Sequence, residues 1–146
     1  MSTSASFSSS PVRELKFELL IMRLACSLPF IYHGAAILFG AFGGPGPHNF
    51  AAFMKMPDVV GYLVGLAQFA GGIAILLGAL LRIGAACIII VMAGAIVLVH
   101  FHNGYDISHG GMEYALTEFL LSLGLLLAGP GKYSLASILP GPLQKL

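Results

Sequence analysis

Tryptophan is absent from this chain of 146 residues, and charge is scarce: Asp, Glu, Lys and Arg together make up 9%. An ordinary soluble domain carries about 25% charged residues. With hydrophobic residues at 58% and a mean hydropathy of +0.92, there is too little polar surface to cover a water-soluble core. The apolar residues must therefore face lipid. Without tryptophan, anchoring at the membrane interface falls to Tyr62, Tyr105, Tyr114 and Tyr133. The net charge of +1 gives no reason to expect a nucleic-acid partner. The two cysteines, Cys26 and Cys87, sit in apolar runs without CxxC spacing. That excludes an iron–sulfur ligand set and speaks against a disulfide framework, leaving two small buried hydrophobes. No flavin or dinucleotide fingerprint is present.

Long apolar runs dominate what is there. About 20 apolar residues span a bilayer core, and four stretches qualify as expected spans: residues 17–42, 59–81, 83–101 and 112–128. The first is too long for the apolar segment of a signal peptide and reads as a retained helix. Gly43-Gly44-Pro45-Gly46-Pro47 breaks the chain after the first, and Pro57-Asp58 opens the second. Arg82 marks the tight turn before the third, while Asn103-Gly104 and Gly110-Gly111 signal turns before the fourth, which Gly129-Pro130-Gly131 stops. The fold class expected is an all-α, four-helix transmembrane bundle over residues 13–132. A disordered Ser-rich tail (1–12) precedes it, and a cytoplasmic or interfacial tail (133–146) follows. Four crossings put both termini on one side. Arg13, Lys16, Arg82, Lys132 and Lys145 share that side against Lys55 alone, so the positive-inside rule makes both termini cytoplasmic in an inner (plasma) membrane.

That topology sorts the polar residues. All five histidines fall in the outer half. At 1.5 Å per residue, His33 lies ~10 Å below the outer surface, Glu118 ~8 Å and Gln68 ~13 Å. Each expected span then offers one intramembrane polar group: His33, Gln68, His100 and Glu118. Polar groups facing lipid are costly, so an inward cluster is the economical arrangement. On the second span Gln68 shares a small-residue face with Gly61, Gly65 and Gly72. On the third, Ala86, Ala93 and His100 recur at sevens. On the first, His33 lies with Phe30, Gly34 and Ile37, and on the fourth Glu118 aligns with Ser122. Glu118 and His33 are the groups expected to do chemistry; all four would bind a cofactor. A structural hydrogen bond between helices is the alternative role for each.

Other residues have simpler roles. His100 and His102, at i and i+2, point to different helix faces, which argues against a dedicated zinc site. His48 and His109 read as solvated loop histidines, Tyr105 and Asp106 as turn residues, and Glu113 as a carboxylate suited to the start of a helix. Arg23 is expected to snorkel to the headgroups, and Arg82 to fix topology.

The order and spacing of several pieces resemble the DoxX family of small four-helix membrane proteins. These are Arg23 with His33-Gly34, Phe42-Gly43-Gly44-Pro45-Gly46, Gly71-Gly72 with Leu76-Leu77-Gly78 and Arg82, Val99-His100, Asn103-Gly104-Tyr105, Gly110-Gly111 with Glu113-Tyr114, and Gly129-Pro130-Gly131-Lys132-Tyr133-Ser134-Leu135. The resemblance covers about residues 17–137. It departs at Gln68, where family members often carry a glutamate three residues before the Gly-Gly pair; Glu118 is then the carboxylate available to substitute. The resemblance implies a membrane subunit of a respiratory or quinone-linked redox complex, anchoring larger oxidoreductase subunits and forming a quinone pocket. Haem, held between His33 and His100, is the weaker cofactor. The rival readings are a small-solute transporter working as a homo-oligomer and a purely structural anchor.

Overall fold

The computed structural model describes residues 17–146. The Ser-rich segment, Arg13 and Lys16 lie outside the described residues. The fold is all-α: α1 (Phe17–Phe39), α2 (Gly46–Phe53), α3 (Asp58–Leu77), α4 (Leu81–Ala95) and α5 (Glu113–Ala128). The chain beyond α4 continues through a π-helical turn, Ile96–His100, and a 3₁₀ turn, Phe101–Asn103.

The expectation of four spans is corrected. Among the described residues, three helices are long and apolar enough to cross a membrane: Phe17–Phe39, Asp58–Leu77 and Leu81–Asn103. The fourth apolar run becomes α5, which has 16 residues. At 1.5 Å per residue it reaches ~24 Å, short of the ~30 Å hydrocarbon core. Its end is set by Gly129, whose φ of 83° breaks helical geometry while its N–H closes on Leu125 O. The deduction that both termini face the cytoplasm rested on an even number of crossings and does not follow from three spans.

Small residues determine how the helices meet. In lipid, helix association depends on close packing rather than on hydrophobic transfer. Among the described residues, the α1–α3 contact is the most extensive. A Cβ on Gly34 would collide with the backbone of Phe69, and one on Gly72 would come within 2.9 Å of Ile31. Gly61, Gly65, Gln68 and Gly72 are all buried on α3. On α4 the buried stripe is Leu81, Gly84, Ala85, Ile88 and Met92, so the repeat through Ala86 and Ala93 is not the packing face. Gly84 and Gly71 bring α4 against α3, each approaching the other's carbonyl.

The contacts also give the bundle two distinct ends. One holds the start of α1, the α3–α4 turn and the chain beyond α5: Gly131 lies on Leu19, Gly129 near the Arg82 guanidinium, and Arg82 N–H donates to Leu146 O. The other holds α2, the start of α3, and the loop between the π turn and α5. α2 fills the stretch read from the sequence as a Gly- and Pro-rich break. Its Pro47, in the first turn, is pre-set for helix.

Candidate functional site

Arg23 sits in the first half of α1, and the expectation that it reaches the headgroups is overturned. It is 2% exposed. Its Nε donates to Ile75 O at 2.8 Å and its Nη1 to Pro130 O at 3.1 Å, with further bonds from Nη1 to Tyr133 O and Nη2 to Leu76 O. Ile75 and Leu76 belong to the last turn of α3, whose carbonyls have no partner within the helix. The guanidinium therefore caps α3, carries a charge suited to that end of its dipole, and ties the chain beyond α5 to α1. One cation satisfies acceptors from two distant segments, so Arg23 is a structural staple at this end.

Toward the other end, a cavity of about 260 Å³ is lined by Phe30, His33, Gln68, Met92, Ala95, His100, Tyr114 and Ala115. It brings together three of the four polar groups singled out in the sequence, from α1, α3 and the π turn. They stand differently in it. Gln68 is buried, His100 is half-buried, and His33 is exposed at the rim, its ring edge-on to Tyr32 at 5.4 Å. On α1 the packed face is Phe30, Gly34 and Ile37, with His33 beside it.

His100 reaches this cavity because of the π turn. A π turn accommodates one residue more than an α turn, so every residue after it is shifted by one position relative to an unbroken helix. Position 99 would otherwise continue the stripe from Met92; the inserted residue gives that place to His100. Its Nδ1 lies 2.7 Å from Gly110 O. A carbonyl only accepts, so Nδ1 carries the proton and Nε2 is left as an acceptor. Asn103 Nδ2 also donates to Gly110 O, at 3.2 Å, so the carbonyl is held from two directions. The loop supplying it is built by Asp106, which accepts from Ser108 N at 2.8 Å, and by Glu113, which accepts from Ile107 N at 3.2 Å. Hydrogen bonds from Ser108 hold the Asp106 carboxyl below its ordinary pKa.

Glu118 is not among the residues lining the cavity. It is 6% exposed and follows the lining residues Tyr114 and Ala115 by one helical turn. Its carboxyl lies beside the Cys26 thiol, whose Sγ is 3.3 Å from Ser122 Oγ. Among the described residues, two buried side-chain oxygens have no hydrogen-bond partner, Gln68 Oε1 and Glu118 Oε2. Buried acceptors are almost always satisfied, and Gln68, which carries one of these two oxygens, lines the cavity.

The remaining histidines are peripheral. His48 is on α2 rather than in a loop, with Nδ1 2.8 Å from Asp58 Oδ2 at the start of α3. His102 is exposed, and exposed His109 lies 3.4 Å from Asp106. Sequence reasoning missed the Arg23 staple, α2, the π turn and the contact of Cys26 with Glu118. Pro47 marks α2 in the sequence; the other three depend on contacts between distant residues or on a local change of helical hydrogen bonding.

Among the comparisons, no curated protein and no solved structure matches the chain. A family model, DoxX, matches residues 18–101. The matched stretch takes in the three long apolar helices and the positions of His33, Gln68 and His100, and stops before Glu118 and the Gly129–Leu135 pieces. It covers more than half of the sequence, and the chain belongs to the DoxX family.

Proposed function

We propose that this protein is a small multi-pass membrane subunit of a quinone-linked redox complex, and that the cavity between α1, α3 and the π turn receives the quinone headgroup. Membership in the DoxX family is consistent with a small membrane subunit linked to quinone and redox complexes. The observation that carries the site is the convergence of His33, Gln68 and His100 on one cavity of about 260 Å³.

The donor set suits a quinone. A bound quinone supplies a carrier of two electrons and two protons. Its oxygens accept hydrogen bonds when oxidised and donate them when reduced, so a fitting site offers groups of both kinds. The Gln68 amide has a donor N and an unpartnered acceptor Oε1. His100 Nε2 accepts a proton, and on protonation donates, while Nδ1 stays bonded to Gly110 O. His33, at the exposed rim, exchanges protons with the surroundings. Glu118, one turn along α5 from Tyr114 and Ala115, holds a proton in reserve for the cavity. Electrons come from a larger partner subunit, since the chain has no flavin, dinucleotide or iron–sulfur motif. The orientation follows from charge: Arg82, Lys132 and Lys145 mark the end held by Arg23 as cytoplasmic, with Lys55 on the other side.

Titration of the purified protein in lipid nanodiscs with a quinone analogue tests the reading. Saturable binding is expected, weakened about tenfold by Gln68→Leu and by His100→Leu through loss of one hydrogen bond each. Wild-type protein that binds no quinone, but passes a small solute into proteoliposomes, would overturn it in favour of transport.

A further inference from the structure

A second cavity, of about 340 Å³, lies beside the first, between α2, α3 and α4. Its walls include Phe50, Phe53 and Met54 from α2 and its C-terminal cap, Val64 from α3, and Leu98 from the π turn. Gln68, Met92, Ala95 and His100 line both cavities. The polar cavity and the apolar groove therefore share one wall, and the polar atoms of that wall come from Gln68 and His100. We propose that the groove takes the hydrocarbon chain of the same molecule whose headgroup occupies the polar cavity, so that the ligand is a chain-bearing quinone drawn from the bilayer rather than a water-soluble one. The proposal rests on the headgroup reading above.

Three observations favour this occupant. A neutral head matches the polar cavity, whose lining among the described residues has no Lys or Arg; the phosphate of a phospholipid would find no cation among them. The groove is kept open by Gly94, which lines it: a Cβ at that position meets no atom within 4 Å. Its α2 wall is fixed in place, because Gly61 lets the Pro47 carbonyl approach α3 closely and His48 bonds to Asp58 at 2.8 Å. A void of this kind forfeits the dispersion contacts that a chain would restore. Moving the chain from lipid into the groove gains little by hydrophobic transfer, since both are apolar. The groove acts by direction: it lays the chain along α2 and leaves the head at Gln68 and His100. The readout must therefore be position and not affinity alone.

The experiment uses two photoreactive benzoquinones in lipid nanodiscs containing the full chain, one with a diazirine on the ring and one with it midway along a decyl chain. Ring labelling is expected on Phe30 or Tyr114, and chain labelling on Phe53, Met54 or Leu98, both suppressed by excess unmodified quinone. Gly94→Leu fills the groove without a backbone clash and should abolish chain labelling there while ring labelling persists. Leu98→Trp, about one turn further along the same helix, should do the same. Ring labelling in the cavity, with chain labelling spread over outward residues such as Tyr62 and Leu63, would overturn the groove and leave the headgroup site standing. Absence of competed labelling from either probe would overturn both.

Discussion

Arg23 is the residue whose environment departs most from what its position in the sequence suggests. An arginine near the end of an apolar run ordinarily extends its charge toward water. Here four carbonyls from two segments more than fifty residues away take its place. Leaving buried acceptors without a donor costs about 1–3 kcal/mol each. Arg23→Leu is therefore expected to destabilise the bundle by about 3 kcal/mol or more and to release the chain from Tyr133 onward. Thermal unfolding in detergent and protease cleavage after residue 132 check it. Arg23→Lys should rescue little, because an ammonium lacks the planar fork that reaches acceptors on several sides. Gln68 and Glu118 present the complementary case: the sequence marks both as polar groups in an apolar setting, and each retains a buried oxygen without a partner. Their locations differ, one on a cavity wall and one beside Cys26, and no periodicity argument separates them.

Two helical features control what those side chains can do. The first is the α1–α3 contact, where the backbone of Phe69 occupies the space a side chain at Gly34 would need. Gly34→Ala should cost about 2 kcal/mol, typical of overpacking, despite alanine's better helix propensity. A lower unfolding temperature with unchanged helix content is the expected signature. The second is the π turn at Ile96–His100. Deleting Val97, which is exposed, should restore continuous α-helix and leave His100 in its place at the cavity, because the residue removed is the one the π turn inserts. Circular dichroism and quinone binding should both stay near native; a loss of binding of about tenfold would mean that the place of His100 is not set by the inserted residue. The small-residue face of α3 was legible in the sequence because glycine spacing reports it directly. The π turn was not, since Ile96-Val97-Leu98-Val99 reads as ordinary apolar helix.

Multi-pass residence rests on the three long apolar helices, and the proposed orientation on the separation of charge between the two ends of the bundle. If the Arg82 end is cytoplasmic, as proposed, a cysteine introduced at Arg82 should react with a membrane-impermeant maleimide only from the cytoplasmic face, and one at Lys55 only from the opposite face. Cys87→Ser is made first, leaving the fully buried Cys26. Equal labelling from both faces, or the reverse pattern, would overturn the orientation.

Membrane residence and helical class were determined by the sequence alone. They depend on composition, on run length and on the 1.5 Å rise of a helix, all of which are local. The number of spans was not, because the fourth apolar run is cut by Gly129 and by the loop before Glu113 to a length that no hydropathy argument measures. Nor was the composition of the site. Whether His33, Gln68, His100 and Glu118 meet depends on helix rotation, and rotation is fixed by glycine contacts between α1, α3 and α4 and by one inserted residue in a π turn. These are decided between segments far apart in the chain, so only the tertiary structure could place three of the four polar groups around one cavity and seat the fourth against Cys26.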